Sequence, residues 1–229
     1  MARRWWALVG LLAMVTGGAS AQPVRCVDGR VPAEADYPTR ADISSIFRDW
    51  FSASLTHLRE PPLTCADDGA EVYRLVWLRS FEGAITVRIT ITDDKVVVTA
   101  RMAAVPIMSI LDTPNGMDRT LREEAELLRK RLEKDEIKET SVALDRESVT
   151  ALRQAVADAS YWDMPTPEPP DPPGYYNPRF DGAQWIVEGI RDGRYHVVDR
   201  WSPAPGAYRD LALLMRTLGG VEVPPAEDY

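Results

Sequence analysis

Apolar residues recur every three or four positions between residues 40 and 58. Ile43, Ile46 and Trp50 follow this spacing, which is typical of one face of an amphipathic helix. Pro61-Pro62 follows the segment, and two consecutive prolines do not continue a helix. We therefore predict a helix over residues 40–58.

The hydrophobic period then changes from helical to alternating. Residues 72–81, 84–92 and 95–102 are rich in Val, Ile, Thr and aromatic residues, and Gly83 and Asp93-Asp94 lie between them. Alternation of apolar and polar residues is typical of strands with one buried face. This part of the chain predicts an antiparallel meander of three strands.

The following segments predict two helices and a short strand. Thr120 and Glu123 form a capping box at the start of a charged helix over residues 120–134. Residues 140–144 predict a strand, and Asp145 caps a helix that extends to about Ala159.

The segment Met164–Pro178 contains seven prolines: Pro165, Pro167, Pro169, Pro170, Pro172, Pro173 and Pro178. This density excludes a helix or a central strand and predicts an extended loop. The loop is interpreted as a stiff crossing between elements, with a lid or a ligand for a proline-binding partner as alternatives.

The last part of the chain predicts a β-hairpin and a helix. Residues 184–191 and 194–201 flank Asp192-Gly193, a favoured two-residue hairpin turn. Residues 206–218 have helical spacing and end at Gly219-Gly220. Together the elements predict an α+β domain over residues 22–229: an antiparallel sheet, built from the three-strand meander and the C-terminal hairpin, with helices packed on one face. Whether the two sheet segments join is left open.

Residues 1–21 have the features of a secretory signal peptide. Arg3 and Arg4 precede an apolar run from Trp5 to Val15, and Ala19-Ser20-Ala21 is a small-x-small cleavage site. The apolar run is about half of the ~20 residues that a membrane span requires. We expect a periplasmic or secreted protein with no membrane span after signal cleavage.

Charge excludes some functions. The chain has 27 Lys and Arg against 35 Asp and Glu, a net charge of −8, and loss of Arg3 and Arg4 with the signal peptide makes this −10. Nucleic-acid binding and adhesion to anionic lipid both require clustered positive charge. We expect neither, and the sequence contains no glycine-rich phosphate loop.

Cys26 and Cys65 are the two cysteines of the chain. In an oxidising compartment they are expected to form a disulfide, which would tie the mature N-terminus to the segment before the first predicted strand. The alternative, a nucleophilic or metal-binding thiol, requires a nearby histidine and a low thiol pKa, and His57 is the local candidate.

The two-residue turn fixes the register of the predicted hairpin. It places Trp185 opposite Arg200 and Gly189 opposite His196 on one face of the sheet. The other face receives four further side chains: Glu188, Tyr195, Asp199 and Trp201. We interpret the Trp185, His196 and Arg200 face, with the adjoining proline-rich loop, as a candidate binding surface. Glu188 and Tyr195 on the other face are further candidate binding residues.

An alternative hypothesis is a small hydrolase that uses His196 with Glu188 or Asp199. It has little support, because the chain contains no Gly-x-Ser-x-Gly elbow. His196 and Asp199 also lie three apart on a strand, and such residues point to opposite faces. We expect no metal site and no cofactor.

Arginines interrupt the predicted meander at four positions: Arg74, Arg79, Arg88 and Arg101. One interpretation is a solvated face on which they pair with acids such as Glu71, Glu82 or Asp94. The alternative is a basic patch that binds a carboxylate, a phosphate or an acidic partner.

Two stretches carry a resemblance: Tyr73–Phe81, and the run from Asp181-Gly182-Ala183-Gln184-Trp185 to Trp201-Ser202-Pro203. They resemble a group of exported bacterial proteins with no assigned activity. The resemblance covers Val72 to the C-terminus and implies an exported bacterial α+β protein. The resemblance implies nothing about catalysis. From its residues, the sequence predicts a non-catalytic binding or accessory module whose partner is an envelope protein or a small ligand.

Overall fold

Seven strands and four α-helices make up the part of the chain that the structure, a computed structural model, describes: residues 23–63, 70–107, 119–169 and 181–224. The strands are β1 (Val24–Arg25), β2 (Glu71–Arg79), β3 (Ile85–Ile91), β4 (Val96–Met102), β5 (Lys138–Ala143), β6 (Ala183–Arg191) and β7 (Arg194–Trp201). The helices are α1 (Ser45–His57), α2 (Arg119–Glu133), α3 (Arg146–Asp158) and α4 (Ala207–Leu218). The fold is mixed α+β, as the sequence predicts.

The strands form one open antiparallel sheet in the order β1-β7-β6-β2-β3-β4-β5. Strand β2 pairs with β3 on one side and with β6 on the other. The question that the sequence left open is thus answered, since β2 joins the two segments into a single sheet.

The position of β2 explains its composition. Every residue of β2 is buried. Tyr73 and Trp77 point to one face of the sheet, and Val72, Val76 and Leu78 point to the other. A strand that is apolar on both faces requires a packed layer on each side.

Helices cover both faces of the sheet, so the prediction that they pack on one face is wrong. Helices α3 and α4 bury Leu152, Leu211 and Met215 against what we call the front face. Helix α1 buries Trp50 and Phe51 against the back face. The reason lies in β2, whose back-face side chains would be exposed without α1.

The β6–β7 hairpin has the predicted turn and register. Asp192 and Gly193 have φ angles of 54° and 66°, as a type I′ turn requires at both central positions. Trp185 pairs with Arg200, and Gly189 pairs with His196. The turn residues therefore decide which hairpin side chains share a face.

Two helix starts show how local chemistry sets the boundaries. Helix α1 begins at Ser45 rather than at residue 40, because Ser44 is extended and Arg40 forms a bidentate ion pair with Asp42 (2.9 and 2.7 Å). Helix α3 begins after Asp145, whose carboxylate accepts the Ser148 N–H at 2.8 Å.

Some predictions fall outside the described residues: the signal peptide (1–21), Cys65, the Thr120 side chain and residues 170–178 of the proline-rich loop. Within the described ranges, no helix is both long enough and apolar enough to cross a bilayer.

Candidate functional site

His196 lies on the front face in an aromatic cluster and is 3% exposed. Its ring centroid is 5.1 Å from that of Tyr161 and 6.1 Å from that of Trp162. Burial lowers the pKa of His196 to about 4. The space expected beside Gly189 is filled, since a Cβ there would lie 3.0 Å from the Tyr161 ring. His196 is therefore a neutral core residue.

Arg200 anchors the start of the proline-rich segment. Its guanidinium donates to the carbonyl oxygens of Thr166 (3.0 Å), Asp199 (2.6 Å) and Pro165 (2.8 Å). The guanidinium carbon lies 5.8 Å from the centroid of the Tyr208 ring. These contacts hold residues 165 and 166 against β7, so Arg200 has a structural role.

Trp185 is 1% exposed and belongs to the core beneath α4. Its ring centroid is 4.8 Å from that of Trp77, and the guanidinium carbon of Arg209 lies 4.9 Å from it. The Trp185 side chain is therefore covered by a helix residue and is not available to a partner.

Glu188 and Tyr195 lie on the back face in a buried polar cluster. The Glu188 carboxylate accepts from Arg74 Nε at 2.7 Å and from the Tyr195 hydroxyl at 2.9 Å. Burial and the Glu188 charge raise the pKa of Tyr195 well above its usual value. Tyr195 is thus a hydrogen-bond donor to a buried ion pair.

Asp199 forms a second back-face cluster with Tyr37 and Gln184. The Tyr37 hydroxyl donates to Oδ2 at 2.8 Å, and the Gln184 amide donates to Oδ1. Burial raises the pKa of Asp199 to about 6, although both hydrogen bonds act in the opposite direction.

The predicted hairpin residues do not form an exposed surface. Trp185, His196, Arg200, Glu188 and Tyr195 are each at most 8% exposed, so the expected patch is wrong. The hydrolase hypothesis also fails geometrically, because the front-face His196 is separated by the sheet from Glu188 and Asp199 on the back face.

The back face carries a carboxylate clamp that the sequence analysis missed. Glu60, which follows α1, has a fully buried side chain. Its carboxylate binds Arg88 Nε at 2.6 Å and also binds Arg101 Nη1, and Arg74 Nη1 lies 3.6 Å away. The Pro61 carbonyl accepts from Arg74 at 2.8 Å and also from Arg88. We call Glu60 and the three arginines the Glu60 clamp.

Arg74 and Arg101 of the clamp have acidic partners other than the expected Glu71, Glu82 and Asp94. Arg74 pairs with Glu188 and Glu60, and Arg101 pairs with Glu60 and Glu139. Arg74 is 2% exposed, so it is not on a solvated face. One sequence signal pointed to the clamp: Arg74 and Arg88 face each other in the meander, and opposed like charges require a counter-ion.

His57 contacts a carboxylate that is distant in sequence. Its Nε2 lies 2.8 Å from Asp135 Oδ2, and the Asp135 carboxylate also accepts the N–H groups of Ala104 and Val105 at 3.2 Å. The contact joins the end of α1 to the turn before β5. No local pattern indicates a pair that is 78 residues apart.

The predicted disulfide involves Cys65, which lies outside the described residues, and it stays a prediction. Among residues 23–63, 70–107, 119–169 and 181–224, no three His, Cys, Asp or Glu side chains converge as metal ligands.

An open groove lies beside the β3–β4 turn and the first turns of α3. It consists of two pockets of about 430 and 530 Å³ that share Ile91, Thr92, Asp93 and Arg153. We call it the turn groove. A smaller pocket of about 230 Å³, lined by Arg79 and Lys138, lies at the other end of the strands.

Charges of both signs line the turn groove: Glu71, Asp93, Asp94, Asp145 and Asp192, with Lys95, Arg146, Arg153 and Arg191. Buried Glu71 accepts from Arg153 Nε at 2.9 Å and from Nη2 at 2.7 Å. The side chains of Arg153 and Arg191 are 53% and 36% exposed. Two arginines are therefore presented to solvent, one of them fixed by a buried carboxylate.

Comparison with known proteins gives no relative. No protein-family model matches the chain. No curated protein matches it, and no solved structure matches it.

Proposed function

We propose that this protein is an exported, non-catalytic binding module that takes a charged segment of an envelope protein in the turn groove. The observation that carries the proposal is the combination of an open groove with two part-exposed arginines, of which Arg153 is fixed by the buried Glu71. A polar groove of mixed charge suits a polar partner rather than an apolar small molecule.

The position of Arg153 supports binding without rearrangement. Nε and Nη2 of Arg153 both donate to Glu71 Oε2, which fixes one side of the guanidinium, and the Tyr73 hydroxyl donates to Oε1 of the same carboxylate at 2.8 Å. A side chain that is ordered before binding loses less conformational freedom when a partner arrives. Arg191, 3.9 Å from Glu71, extends the cationic surface.

The acidic residues at the β3–β4 turn supply the complementary half of the groove. Asp93 and Asp94 are exposed, and Asp93 lines both pockets. A partner segment with a basic residue near an acidic one would match this arrangement, and such complementarity controls specificity and association rate.

The proposal includes a periplasmic or secreted location. It rests on the pattern of residues 1–21 and on the Cys26 and Cys65 pair. We also propose that the β2–β4 meander and the β6–β7 hairpin are the two building units of the sheet.

Chemical crosslinking in the native envelope tests the function. The wild-type chain should capture a partner in fixed stoichiometry, and Arg191→Glu and Asp93→Lys should each reduce its recovery several-fold. The matched control is Glu133→Lys, a charge reversal on the exposed end of α2, which should leave recovery unchanged. Equal recovery by all four proteins, or no stoichiometric partner for the wild type, would overturn the proposal.

A further inference from the structure

The two outer edges of the sheet differ in how they are covered. At one edge β1 pairs with β7, and the 165–168 segment continues the cover, since the Thr166 carbonyl accepts the Asp199 N–H at 2.8 Å. At the other edge all six residues of β5 are exposed. Within the described residues, no group bonds to the outer side of β5.

The β4–β5 register identifies the main-chain groups on this open edge. The Leu144 N–H donates to the Val96 carbonyl at 3.1 Å, and bonded and non-bonded pairs alternate in an antiparallel ladder. Thr140 and Val142 therefore direct their main-chain groups toward β4. The N–H and C=O groups of three residues point outward: Glu139, Ser141 and Ala143.

We propose that β5 pairs with β5 of a second copy of this chain, in antiparallel orientation about a two-fold axis at Ser141. The two sheets would then form one continuous sheet. The contact is isologous, because each copy presents the same strand to the other. This inference concerns the β5 edge and does not depend on the proposed function, although Arg146 also lines the turn groove.

The side chains fit this register. Thr140 lies opposite Val142 of the second copy, and this β-branched pair would cover Val142, which is 43% exposed in a single chain. Glu139 lies opposite Ala143 of the second copy, so no like charges are opposed. Beyond the strand ends, the same register brings Glu136 toward Arg146, the first residue of α3, of the second copy. Their opposite charges attract, and the contact occurs twice by symmetry.

The neighbouring register is less favourable. A shift of the axis by one residue toward Val142 places Glu139 opposite Asp145 of the second copy, and directly opposed like charges are destabilising. Charge thus disfavours an axis at Val142. A heterologous peptide on the same edge is the competing occupant.

Sedimentation velocity over a concentration series tests the inference. As the concentration of the wild-type chain increases, its average molecular mass in solution should rise toward twice the single-chain mass. Ser141→Pro removes an outward N–H that β4 does not use, and proline is tolerated on an edge strand. This variant should stay monomeric, whereas Ser141→Ala, which keeps the N–H, should dimerise like the wild type.

A charge-swap series tests the register without altering the strand. Glu136→Arg and Arg146→Glu should each weaken dimerisation several-fold, and the double variant should restore it. Both side chains are exposed, so all three variants should fold. A chain that is monomeric at every concentration, dimers of Ser141→Pro as strong as those of the wild type, or a double variant without recovery would each overturn the proposal.

Discussion

Arg74 and Arg88 lie directly opposite each other on adjacent strands, and the buried carboxylate of Glu60 lies between their guanidinium groups. Two opposed cations that are largely shielded from solvent would repel each other. The short segment after α1 supplies the counter-charge and so connects α1 to the β2–β3 pair.

Removal of the Glu60 carboxylate should therefore destabilise the fold. Glu60→Gln leaves Arg88 without a counter-charge and removes one of the two carboxylates that pair with Arg74 and with Arg101. We expect a loss of about 3 kcal/mol in the free energy of unfolding. Urea denaturation monitored by tryptophan fluorescence measures it.

Glu139→Gln is the matched control. Glu139 pairs with Arg101 at 2.7 Å, but its side chain is 54% exposed, and an exposed pair contributes at most about 1 kcal/mol. Equal losses for the two variants would contradict the central role of Glu60.

Arg200→Ala should lower stability by more than about 2 kcal/mol, because the half-buried Pro165 carbonyl loses its Arg200 donor and the buried Thr166 carbonyl keeps only the Asp199 N–H. Arg194→Ala removes a cation 5.8 Å from the Trp162 ring and should cost about 1 kcal/mol or less. Thermal and urea unfolding of both variants provide the comparison. If Arg200→Ala hardly changed the free energy of unfolding, Arg200 would again be a candidate binding residue.

The His196 ring should remain neutral at pH values well below those at which an exposed histidine becomes protonated. Its pKa is about 4 in the folded chain against 6.5 when exposed. The unfolded chain therefore binds the proton first, so this group lowers stability as pH falls from 6.5 to 4. Titration of the His196 ring protons by NMR measures the pKa. A midpoint near 6.5 would show that the ring is solvated.

Asp199 should have the opposite effect on stability. Its folded pKa of about 6 is above the usual 3.8, so the folded chain holds the proton longer. The stabilising contribution is complete below about pH 3.8 and is lost as pH rises through 6. Asp199→Asn should remove this loss. The difference between wild-type and variant unfolding free energies from pH 4 to pH 7 reports it, and a flat difference would contradict the assignment.

The proposed export of the protein predicts the N-terminus and the thiol content of the mature chain. Mass analysis of protein from the envelope should give an N-terminus at Gln22 and no free thiol, because Cys26 and Cys65 are expected to be paired. Iodoacetamide labelling before and after reduction counts the thiols. An intact Met1 or a thiol that reacts before reduction would refute the corresponding half of the prediction.

Much of the fold follows from local sequence patterns. The Asp192-Gly193 turn determines the hairpin register, and Asp145 determines the start of α3, because both act within a few residues. The back-face position of α1 depends on the β2–β6 pairing, which is a contact between distant segments. Local patterns do not specify such a contact.

The candidate site was less predictable for the same reason. The sequence placed His196 and Arg200 on one face correctly, but it did not show that Tyr161 and Tyr208 would cover them. The turn groove combines residues from β2, β3, α3 and the hairpin. No single stretch of sequence contains its pattern of charge.

Site-specific photo-crosslinking tests the proposed function most directly. A photoreactive residue at Asp94, in the turn groove, should give a crosslinked product with an envelope protein. The same residue at Leu127, which is 62% exposed on α2, should give none. A product at Leu127 and none at Asp94 would contradict the turn groove as the binding surface.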